Sequence, residues 1–351
     1  MAKKLMIFGS YVTDLCSRSD RFPEAGETIK GISFRTGPGG KGSNQAIAAH
    51  RAGADLTFVT RLGDDPLGQE AMRFYRAEGL DTDKIIVEAG GDTGAAMIMV
   101  DEGTAQNRII VIGGACGRFT ADEIEALKPA AAQSEIFLTQ LETNLEPVYA
   151  LLKAAHDGGA HTVLDPAPAC RVDPSLWQYV DTVKPNETEA EFFTGIKVES
   201  FDDAARAADV FRGFGVKNVI ITLGERGAYV RCGDEARCIP AAKCGKTVDT
   251  TGAGDAFSGG FAAALAEGMD FFEAAGFASA VAGLCVTKPG TAPAMPYRDE
   301  IEAFLNNGKR TACPESALDA VSGGRIGFEK TVGLTGTAVY GKDAQPSGKA
   351  D

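Results

Sequence analysis

The amino-acid sequence predicts an α/β fold: a doubly wound, mostly parallel sheet flanked by helices, with a small second sheet inserted into it. Near-continuous apolar runs, rather than alternating ones, are typical of strands buried on both faces. These runs alternate with longer stretches of helical periodicity, as in a sheet built from βαβ units. Two β-rich stretches, 28–35 and 95–112, break the alternation, and we assign them to the smaller sheet.

Individual elements follow from local patterns. Six apolar runs are candidate strands of the main sheet: 5–9, 56–60, 136–141, 162–165, 182–184 and 219–223. A helix over 121–132 is preceded by Thr120 and has Glu123 in its first turn, which is the spacing of a capping box. Helices over 66–78 and 146–157 are followed by glycine, which favours a helix C-terminus. In the smaller sheet, 100–103 is predicted to be a hairpin turn between strands 96–100 and 108–112.

Length and composition exclude several classes of protein. With 351 residues the chain can bury a full hydrophobic core without disulfide or metal staples. Its 35 Lys and Arg against 48 Asp and Glu leave a net charge of −13, which disfavours binding to nucleic acid or to an anionic membrane surface. The apolar runs are far shorter than the ~20 residues of a membrane-spanning helix. We therefore expect neither nucleic acid nor membrane among the partners.

The chain ends and the cysteines bear on domain organisation and location. The apolar run after Lys4 stops at Gly9 without a cleavage site, so we interpret it as the first strand rather than a signal peptide. The eight cysteines form no CxxC pair, and we expect reduced thiols in a cytoplasmic protein. Residues 1–310 are assigned to one domain. Residues 311–351, rich in Gly, Ser, Thr, Ala and Lys, are predicted to be a poorly ordered extension.

The strongest motif spans 249–257 and reads Asp-Thr-Thr-Gly-Ala-Gly-Asp-Ala-Phe. Gly252, Ala253 and Gly254 form a turn that opens a helix, and the free N–H groups at a helix N-terminus bind anionic phosphates. Asp255 lies in the first turn, where the helix dipole favours an ionised carboxylate. Beside a phosphate site this carboxylate can take the proton of an attacking hydroxyl. The alternative is that Asp255 merely caps the helix.

A second motif, Gly-Pro-Gly-Gly-Lys-Gly-Ser-Asn-Gln at 37–45, precedes a helix predicted over 46–52. Its glycines allow the backbone to approach a small ligand closely, and Asn44 can hydrogen-bond to hydroxyls. It is not a Walker A loop, because it lacks the earlier glycine and has no Ser or Thr directly after Lys41. An ordinary strand-to-helix turn is the alternative.

Three further motifs follow strand ends, where ligands of open α/β sheets bind. At 184–191, Asn186 and Glu189 stand three residues apart at a helix start and can face one point. The two side chains either bind a divalent cation beside phosphates or simply complement the helix dipole. A Gly-rich turn within 221–227 suits a nucleotide, and Asp14 stands just beyond the first strand.

Together these segments resemble the ribokinase (PfkB-type) carbohydrate kinase family, from residue 5 to about residue 305. The pair Gly-Gly-Lys-Gly-x-Asn and Asp-Thr-x-Gly-Ala-Gly-Asp is highly specific. The segments 140–142, 165–168 and 185–189 point to the ribokinase branch. The resemblance implies one α/β domain with a small β-sheet lid, from about 28–36 and 94–113, over a sugar. It also implies a homodimer that forms through the lids.

Position by position, the resemblance implies an ATP-dependent sugar kinase with Asp255 as the base and Gly252, Ala253 and Gly254 as the anion hole. The implied sugar-binding residues, besides Asp255, are Val12, Thr13, Asp14, Gly40, Lys41, Gly42, Ser43, Asn44 and Glu142. The implied nucleotide-binding residues, besides Gly254 and Asp255, are Asn186, Thr222, Leu223, Gly224, Glu225, Arg226, Gly227 and Ser279.

The resemblance also implies two cations. Mg²⁺ is tied to the pair Asn186 and Glu189. The implied ligands of K⁺, mostly through backbone carbonyls, are Asp249, Thr251, Cys285, Lys288, Gly290 and Ala294. Ala294 departs from the Ser that is frequent in relatives.

Val12 departs from the family pattern, which usually has Asn at this position in contact with a sugar hydroxyl. D-ribose, phosphorylated at its 5-hydroxyl, is the expected substrate. Because an apolar side chain offers no hydrogen bond, 2-deoxy-D-ribose is the rival, and another sugar or a nucleoside is a further alternative. Val12 could instead pack against the lid. A catalytically silent sugar-binding protein is the non-enzyme alternative, which the intact Asp255 and anion-hole glycines oppose.

Overall fold

Strands and helices alternate along most of the chain in the structure, a computed structural model that describes residues 2–104 and 106–306. The strands are β1 (Leu5–Phe8), β2 (Val12–Ser19), β3 (Ser33–Gly39), β4 (Leu56–Val59), β5 (Arg61–Gly63), β6 (Ile86–Glu88), β7 (Thr93–Asp101), β8 (Asn107–Gly114), β9 (Ile136–Thr139), β10 (His161–Leu164), β11 (Thr182–Val183), β12 (Asn218–Thr222), β13 (Ala228–Cys232) and β14 (Glu235–Ile239). The α-helices are α1 (Lys41–Arg51), α2 (Pro66–Glu78), α3 (Ala121–Ala132), α4 (Leu145–Asp157), α5 (Glu187–Thr194), α6 (Phe201–Gly213), α7 (Ala253–Glu267), α8 (Phe271–Cys285) and α9 (Arg298–Asn306). The extension predicted at 311–351 lies outside the described residues.

The main sheet has the strand order β14-β13-β12-β11-β10-β9-β1-β4. The strands from β12 to β4 are parallel, and β13 and β14 add an antiparallel edge. Alternate residues of β1 belong to opposite cores: Leu5 and Ile7 pack with α1, α7 and α8, and Met6 and Phe8 pack with α3, α4 and α6. Burial on both faces explains the continuous apolar runs. The predicted doubly wound α/β fold is confirmed.

Helices α2 and α3 begin and end where the sequence predicts. Thr120 and Glu123 form the reciprocal hydrogen bonds of a capping box at the start of α3. α2 ends at Gly79, whose φ of 76° is the left-handed conformation that glycine adopts at little cost. Across 2–104 and 106–306, no helix is both long enough and apolar enough to cross a bilayer.

The smaller sheet has four strands in the order β3-β2-β7-β8. The hairpin of β7 and β8 lies where it is predicted, but β2 is missed, because its sequence Val-Thr-Asp-Leu-Cys-Ser-Arg-Ser contains no apolar run. The stretch predicted from residue 28 becomes a strand only at Ser33. β3 continues through Pro38, which an edge strand tolerates because one side of its backbone has no partner. The smaller sheet is therefore built from three chain segments rather than two.

Candidate active site

The carboxyl ends of the parallel strands open into a cavity of about 620 Å³. This is the edge of an α/β sheet at which ligands bind. Residues from four of the predicted motifs, together with Asp165 and Ser279, meet at the cavity wall: Lys41, Lys184, Asn186, Glu189, Thr222, Gly254 and Asp255.

Asp255 is buried in the first turn of α7. Its Oδ2 accepts a hydrogen bond from Asn44 Nδ2 at 2.9 Å, and its Oδ1 accepts one from Gln45 Nε2 at 3.0 Å. Among the described residues no side chain caps the start of α7 by a hydrogen bond, so Asp255 does not act as a hydrogen-bonding cap of this helix. Two consecutive amides of α1 instead hold both carboxylate oxygens.

The turn before Asp255 presents backbone donors. Gly252 is the residue before α7 and has a φ of 80°, a left-handed conformation that glycine adopts readily. The Ala253 N–H donates to the Thr250 carbonyl oxygen at 3.2 Å. The N–H groups of Gly254 and Asp255 have no acceptor among the described residues. These two groups, at the positive end of the α7 dipole, can receive a phosphoryl oxygen.

A second buried carboxylate, Asp165, lies beside the first. Its Oδ2 accepts hydrogen bonds from Gln45 Nε2 at 2.9 Å and from Ser258 Oγ at 3.0 Å, and pairs with Lys184 Nζ at 3.0 Å. Gln45 Nε2 therefore bridges Asp165 and Asp255, and its two protons satisfy one oxygen of each. Asp165 Oδ1 has no hydrogen-bond partner among the described residues.

Helix α1 begins at Lys41, earlier than the predicted start at residue 46. Glu142 stabilises this start, because its Oε2 accepts hydrogen bonds from the Lys41 N–H at 2.8 Å and from Ser10 Oγ at 2.5 Å. Gly42 permits the close packing here, since a Cβ at Gly42 would lie 2.5 Å from the Ser10 backbone nitrogen. The second motif is therefore a helix N-terminus whose cap comes from a distant segment.

Asp14 projects from β2 over Gly39 of β3, where a Cβ would lie 2.3 Å from Asp14 Oδ1. Burial raises the pKa of Asp14 to about 6, and the negative charges of Glu142 and Asp255 add to the effect. A hydrogen bond from Thr291 Oγ1, 3.0 Å from Asp14 Oδ2, lowers the pKa but does not cancel the increase. At neutral pH Asp14 is therefore a carboxylate that can accept hydrogen bonds from sugar hydroxyls.

Three residues of the implied sugar set have other contacts. Val12 is 3% exposed, and its Cγ1 lies 2.9 Å from the position of a Cβ on Gly94 of β7, so it packs against the smaller sheet. Thr13 Oγ1 donates to Tyr11 Oη at 3.2 Å. Ser43 Oγ accepts a hydrogen bond from Tyr75 Oη at 2.8 Å. Both hydroxyls are thus engaged with core tyrosines.

The Lys41 side chain lines the cavity among acidic groups. Burial lowers its pKa, but the charges of Asp255, Asp165, Glu142 and Glu189 raise it by more, so the net pKa is raised. The ammonium group is therefore charged and partly neutralises the site.

Most of the implied nucleotide-binding residues line the cavity: Asn186, Thr222, Gly224, Glu225, Gly227, Gly254, Asp255 and Ser279. The other two do not. Leu223 is buried in the core, and Arg226 donates hydrogen bonds to Glu187 and to the Glu199 carbonyl oxygen. A motif identifies a whole segment, whereas only some side chains of a strand end and tight turn face the cavity.

Asn186 and Glu189 form a reciprocal capping box at the start of α5. Asn186 Oδ1 accepts a hydrogen bond from the Glu189 N–H at 2.8 Å, and Glu189 Oε2 accepts one from the Asn186 N–H at 2.8 Å. Both residues also line the cavity. Burial and then the charge of Asp165 raise the pKa of Glu189. The motif is therefore a helix cap whose carboxylate also lies at the cavity.

Backbone contacts join the two segments of the implied K⁺ set. Asp249 Oδ1 accepts a hydrogen bond from the Thr251 N–H at 2.9 Å, and its Oδ2 accepts one from the Gly290 N–H at 3.1 Å. Lys288 Nζ pairs with Glu300 at 2.6 Å. Ala294 can offer a cation only its backbone oxygen. Burial raises the pKa of the Cys285 thiol to about 12, so that thiol is neutral.

Sequence reasoning assigns no role to six polar residues of this site: Ser10, Gln45, Asp165, Lys184, Ser258 and Thr291. Gln45 follows other polar residues of the second motif, whereas Ser258 is a buried polar residue on a helix that is otherwise apolar around it. For Ser258 that contrast is the one available signal, and it does not show which group the residue contacts. Thr291 lies outside every motif.

Residues 2–298 match the family described as pfkB family carbohydrate kinase. A ribokinase from Haemophilus influenzae is 38% identical over 307 residues, which cover 88% of this chain and 100% of that protein. The structure of Arabidopsis thaliana ribokinase complexed with ribose and ATP has a TM-score of 0.79 at 32% identity, and the match covers 87% of this chain and 99% of that one. A deoxyribokinase from Salmonella typhi is 32% identical, with coverage of 86% of this chain and 98% of that protein.

Proposed function

Because the chain belongs to the pfkB family of carbohydrate kinases, we propose that it is a ribokinase, which transfers the γ-phosphoryl group of ATP to the 5-hydroxyl of D-ribose. One observation carries the proposal: the buried Asp255 carboxylate is held by two amides beside unpaired N–H groups of α7. The relatives named ribokinase support ribose as the sugar, and the deoxyribokinase, at 32% identity, is less similar than the Haemophilus influenzae ribokinase, at 38%.

In this mechanism the sugar lies between Asp14 and Asp255. Asp14 and Asn44 receive its hydroxyls, and the 5-hydroxyl donates to Asp255. As the ribose oxygen attacks the γ-phosphorus, its proton passes to Asp255 and the bond from phosphorus to the ADP oxygen breaks. The N–H groups of Gly254 and Asp255 and the charge of Lys41 stabilise the phosphoryl oxygens.

The residues at the cavity fit a magnesium ion. No group of three or more His, Cys, Asp or Glu side chains within 2–104 and 106–306 could hold a metal. Mg²⁺ in phosphoryl-transfer sites needs only one or two carboxylates, because phosphates and waters complete its shell. Glu189 and the unpaired Oδ1 of Asp165 would hold it through waters. The ion would neutralise charge on the transferring phosphoryl group.

A potassium ion is proposed beside the anion hole, at Asp249, Gly290 and the carbonyl groups near them. Carboxylate and carbonyl oxygens are suitable ligands for a hard cation. The Asp249–Gly290 hydrogen bond connects this region to the turn that begins α7. Cation binding here would set the shape of the 249–255 turn.

We also propose a homodimer formed through the smaller sheet. Side chains alternate across this sheet, and the face opposite Asp14 carries large exposed apolar residues. Phe34, Met97, Ile110 and Ile112 are 64, 52, 61 and 51% exposed. A contiguous apolar face of this kind is typical of an interface. Ile110→Asp should convert the dimer to a monomer in light scattering, and an unchanged mass would contradict the proposal.

The compartment is a further proposal. Six cysteines in the described part of the chain are free thiols, which supports a reducing, cytoplasmic location: Cys16, Cys116, Cys170, Cys232, Cys244 and Cys285.

The proposed reaction is tested by ADP release from the purified chain with D-ribose, 2-deoxy-D-ribose, other pentoses and nucleosides. We expect the highest kcat/KM with D-ribose and a 5-phosphate product by phosphorus NMR. Asp255→Asn serves as the inactive control. A higher kcat/KM with 2-deoxyribose or a nucleoside would show that this compound, rather than D-ribose, is the substrate. Sugar binding without ADP release would identify a binding protein instead.

A further inference from the structure

Thr291 connects the smaller sheet to the loop between α8 and α9. Its hydroxyl oxygen lies 3.0 Å from Asp14 Oδ2 in β2 and 3.0 Å from the Pro38 carbonyl oxygen in β3. The residue is buried. A single hydroxyl therefore joins the two strands to a segment that is 277 positions from Asp14 in sequence.

Thr291 also packs against the anion-hole turn. Its Cα and Cβ lie 3.4 and 3.6 Å from the position of a Cβ on Gly252. One residue thus contacts both the carboxylate proposed to bind the sugar and the turn proposed to bind the phosphoryl group.

The loop that carries Thr291 is held on both sides. Arg51 Nη1 donates to the carbonyl oxygens of Ala292, Pro293 and Met295 at 3.3, 3.2 and 2.8 Å. Before Thr291, the Gly290 N–H donates to Asp249. Because these bonds restrain the backbone, the Thr291 hydroxyl occupies a defined position.

The hydroxyl has one proton and two neighbouring acceptors, Asp14 Oδ2 and the Pro38 carbonyl oxygen. A carboxylate is the stronger acceptor, since a hydrogen bond to an ionised group is about twice as strong as a neutral one. When Asp14 is ionised, Thr291 therefore donates to it and restricts its rotation. The other carboxylate oxygen, Oδ1, accepts no hydrogen bond from the described residues, so it can accept one from a ligand.

We propose that Thr291 is a positioning residue for sugar binding. It orients Asp14 and places it at a fixed distance from the turn at Gly252, so that a bound sugar is aligned with the phosphoryl site. The inference rests on the proposed function and deepens it by naming a residue that sets ribose affinity without a role in proton transfer.

The test compares Thr291→Val, which keeps the shape but removes the donor, with Thr291→Ser, which keeps the donor. A lost hydrogen bond to a charged group predicts an increase of about 10- to 100-fold in the ribose KM for Thr291→Val. We expect kcat to fall less than about 5-fold and the ATP KM to change less than about 2-fold, since the base is untouched. Thr291→Ser should restore the ribose KM to within about 3-fold.

Thr162→Val is the matched control. Thr162 is a buried threonine whose hydroxyl oxygen lies 2.7 Å from the Tyr179 carbonyl oxygen and 3.1 Å from Asp181 Oδ2, and accepts a hydrogen bond from the Asp181 N–H at 2.9 Å. It lies near the start of β10, at the amino ends of the parallel strands, whereas the site lies at their carboxyl ends. This variant should lose stability without a change in the ribose KM.

Ribose affinity without ATP, measured by titration calorimetry, separates this proposal from the proposed function. If the native chain binds ribose but does not phosphorylate it, the proposed function fails and the Kd still tests Thr291. If another sugar is preferred, that sugar replaces ribose in the same comparison. An unchanged KM and Kd in Thr291→Val, or no recovery in Thr291→Ser, would overturn the inference. Thr291→Ala replaces the valine variant if that variant does not fold.

Discussion

Replacing Asp14 with Asn should stabilise the protein at neutral pH while it weakens ribose binding. Burial raises the pKa of Asp14 to about 6 from an ordinary value of 3.8, a difference of about 2.2. At about 1.4 kcal/mol for each pH unit, ionised Asp14 lowers the free energy of unfolding by about 3 kcal/mol at pH 8.

The direction in which stability changes with pH follows from proton uptake by Asp14. Between pH 3.8 and about 6 the folded state binds more protons at Asp14 than the unfolded state, so stability falls as the pH rises through this window. Asn carries no charge at any of these pH values. The advantage of the variant should therefore grow from about 1.6 kcal/mol at pH 5 to about 3 kcal/mol at pH 8.

Urea unfolding at pH 5 and pH 8 measures this difference, and the ribose KM of the same samples measures the functional loss. Asp234→Asn is the control, because the Asp234 side chain is 97% exposed and its replacement should change stability by less than about 0.5 kcal/mol. The reasoning is refuted if Asp14→Asn is no more stable than the native protein at pH 8, or if its advantage does not shrink at pH 5.

Four further results are expected. Asp255→Asn should lower kcat by about 10²- to 10⁴-fold while calorimetry shows ribose binding intact. Near-normal turnover would show that Asp255 is not the base. Replacing K⁺ by tetramethylammonium should lower both kcat and the thermal unfolding midpoint, and equal values in the two buffers would exclude the cation site. Val12→Asn should lose about 1–3 kcal/mol of stability, because it buries an amide beside Gly94. Its ratio of ribose to 2-deoxyribose kcat/KM should move less than about 3-fold, and a shift toward ribose of about 5- to 150-fold would show that Val12 sets specificity. Gly42→Ala should lose about 1–3 kcal/mol through its backbone clash, whereas Gly276→Ala in α8, with open space around it, should not; equal losses would contradict this packing.

Local patterns suffice for the six parallel strands of the main sheet and for the ends of α2 and α3. Strands buried on both faces are apolar throughout, and caps such as Thr120 with Glu123 use residues that are adjacent in sequence. β2, β13 and β14 are missed, since each includes charged residues that resemble those of a loop. A strand of this kind is defined by its partners, which are not visible in one sequence.

Some parts of the site can likewise be predicted from the sequence, and others cannot. Asp255 and its glycines are recognisable because a phosphate-binding turn needs those residue types in that order. The start of α1 is not recognisable from the sequence. Two glycines near its N-terminus argue against a helix, and the residue that caps it, Glu142, is 101 positions away from Lys41. The bridge of Gln45 between two carboxylates is invisible for the same reason, since a lone glutamine in a helix specifies no partner.

The spacing of the site contacts in sequence has a consequence for biosynthesis. Asn44 and Asp255 are 211 positions apart, and Asp14 and Thr291 are 277 positions apart. Chain synthesis proceeds at about 5–20 residues per second, so roughly 14–55 s separate the emergence of Asp14 from that of Thr291. Until then Asp14 lacks its hydrogen-bond partner Thr291, and the proposed sugar site is incomplete. Sugar binding therefore marks the end of folding, and a ribosome stalled before residue 291 would hold a chain without a complete sugar site.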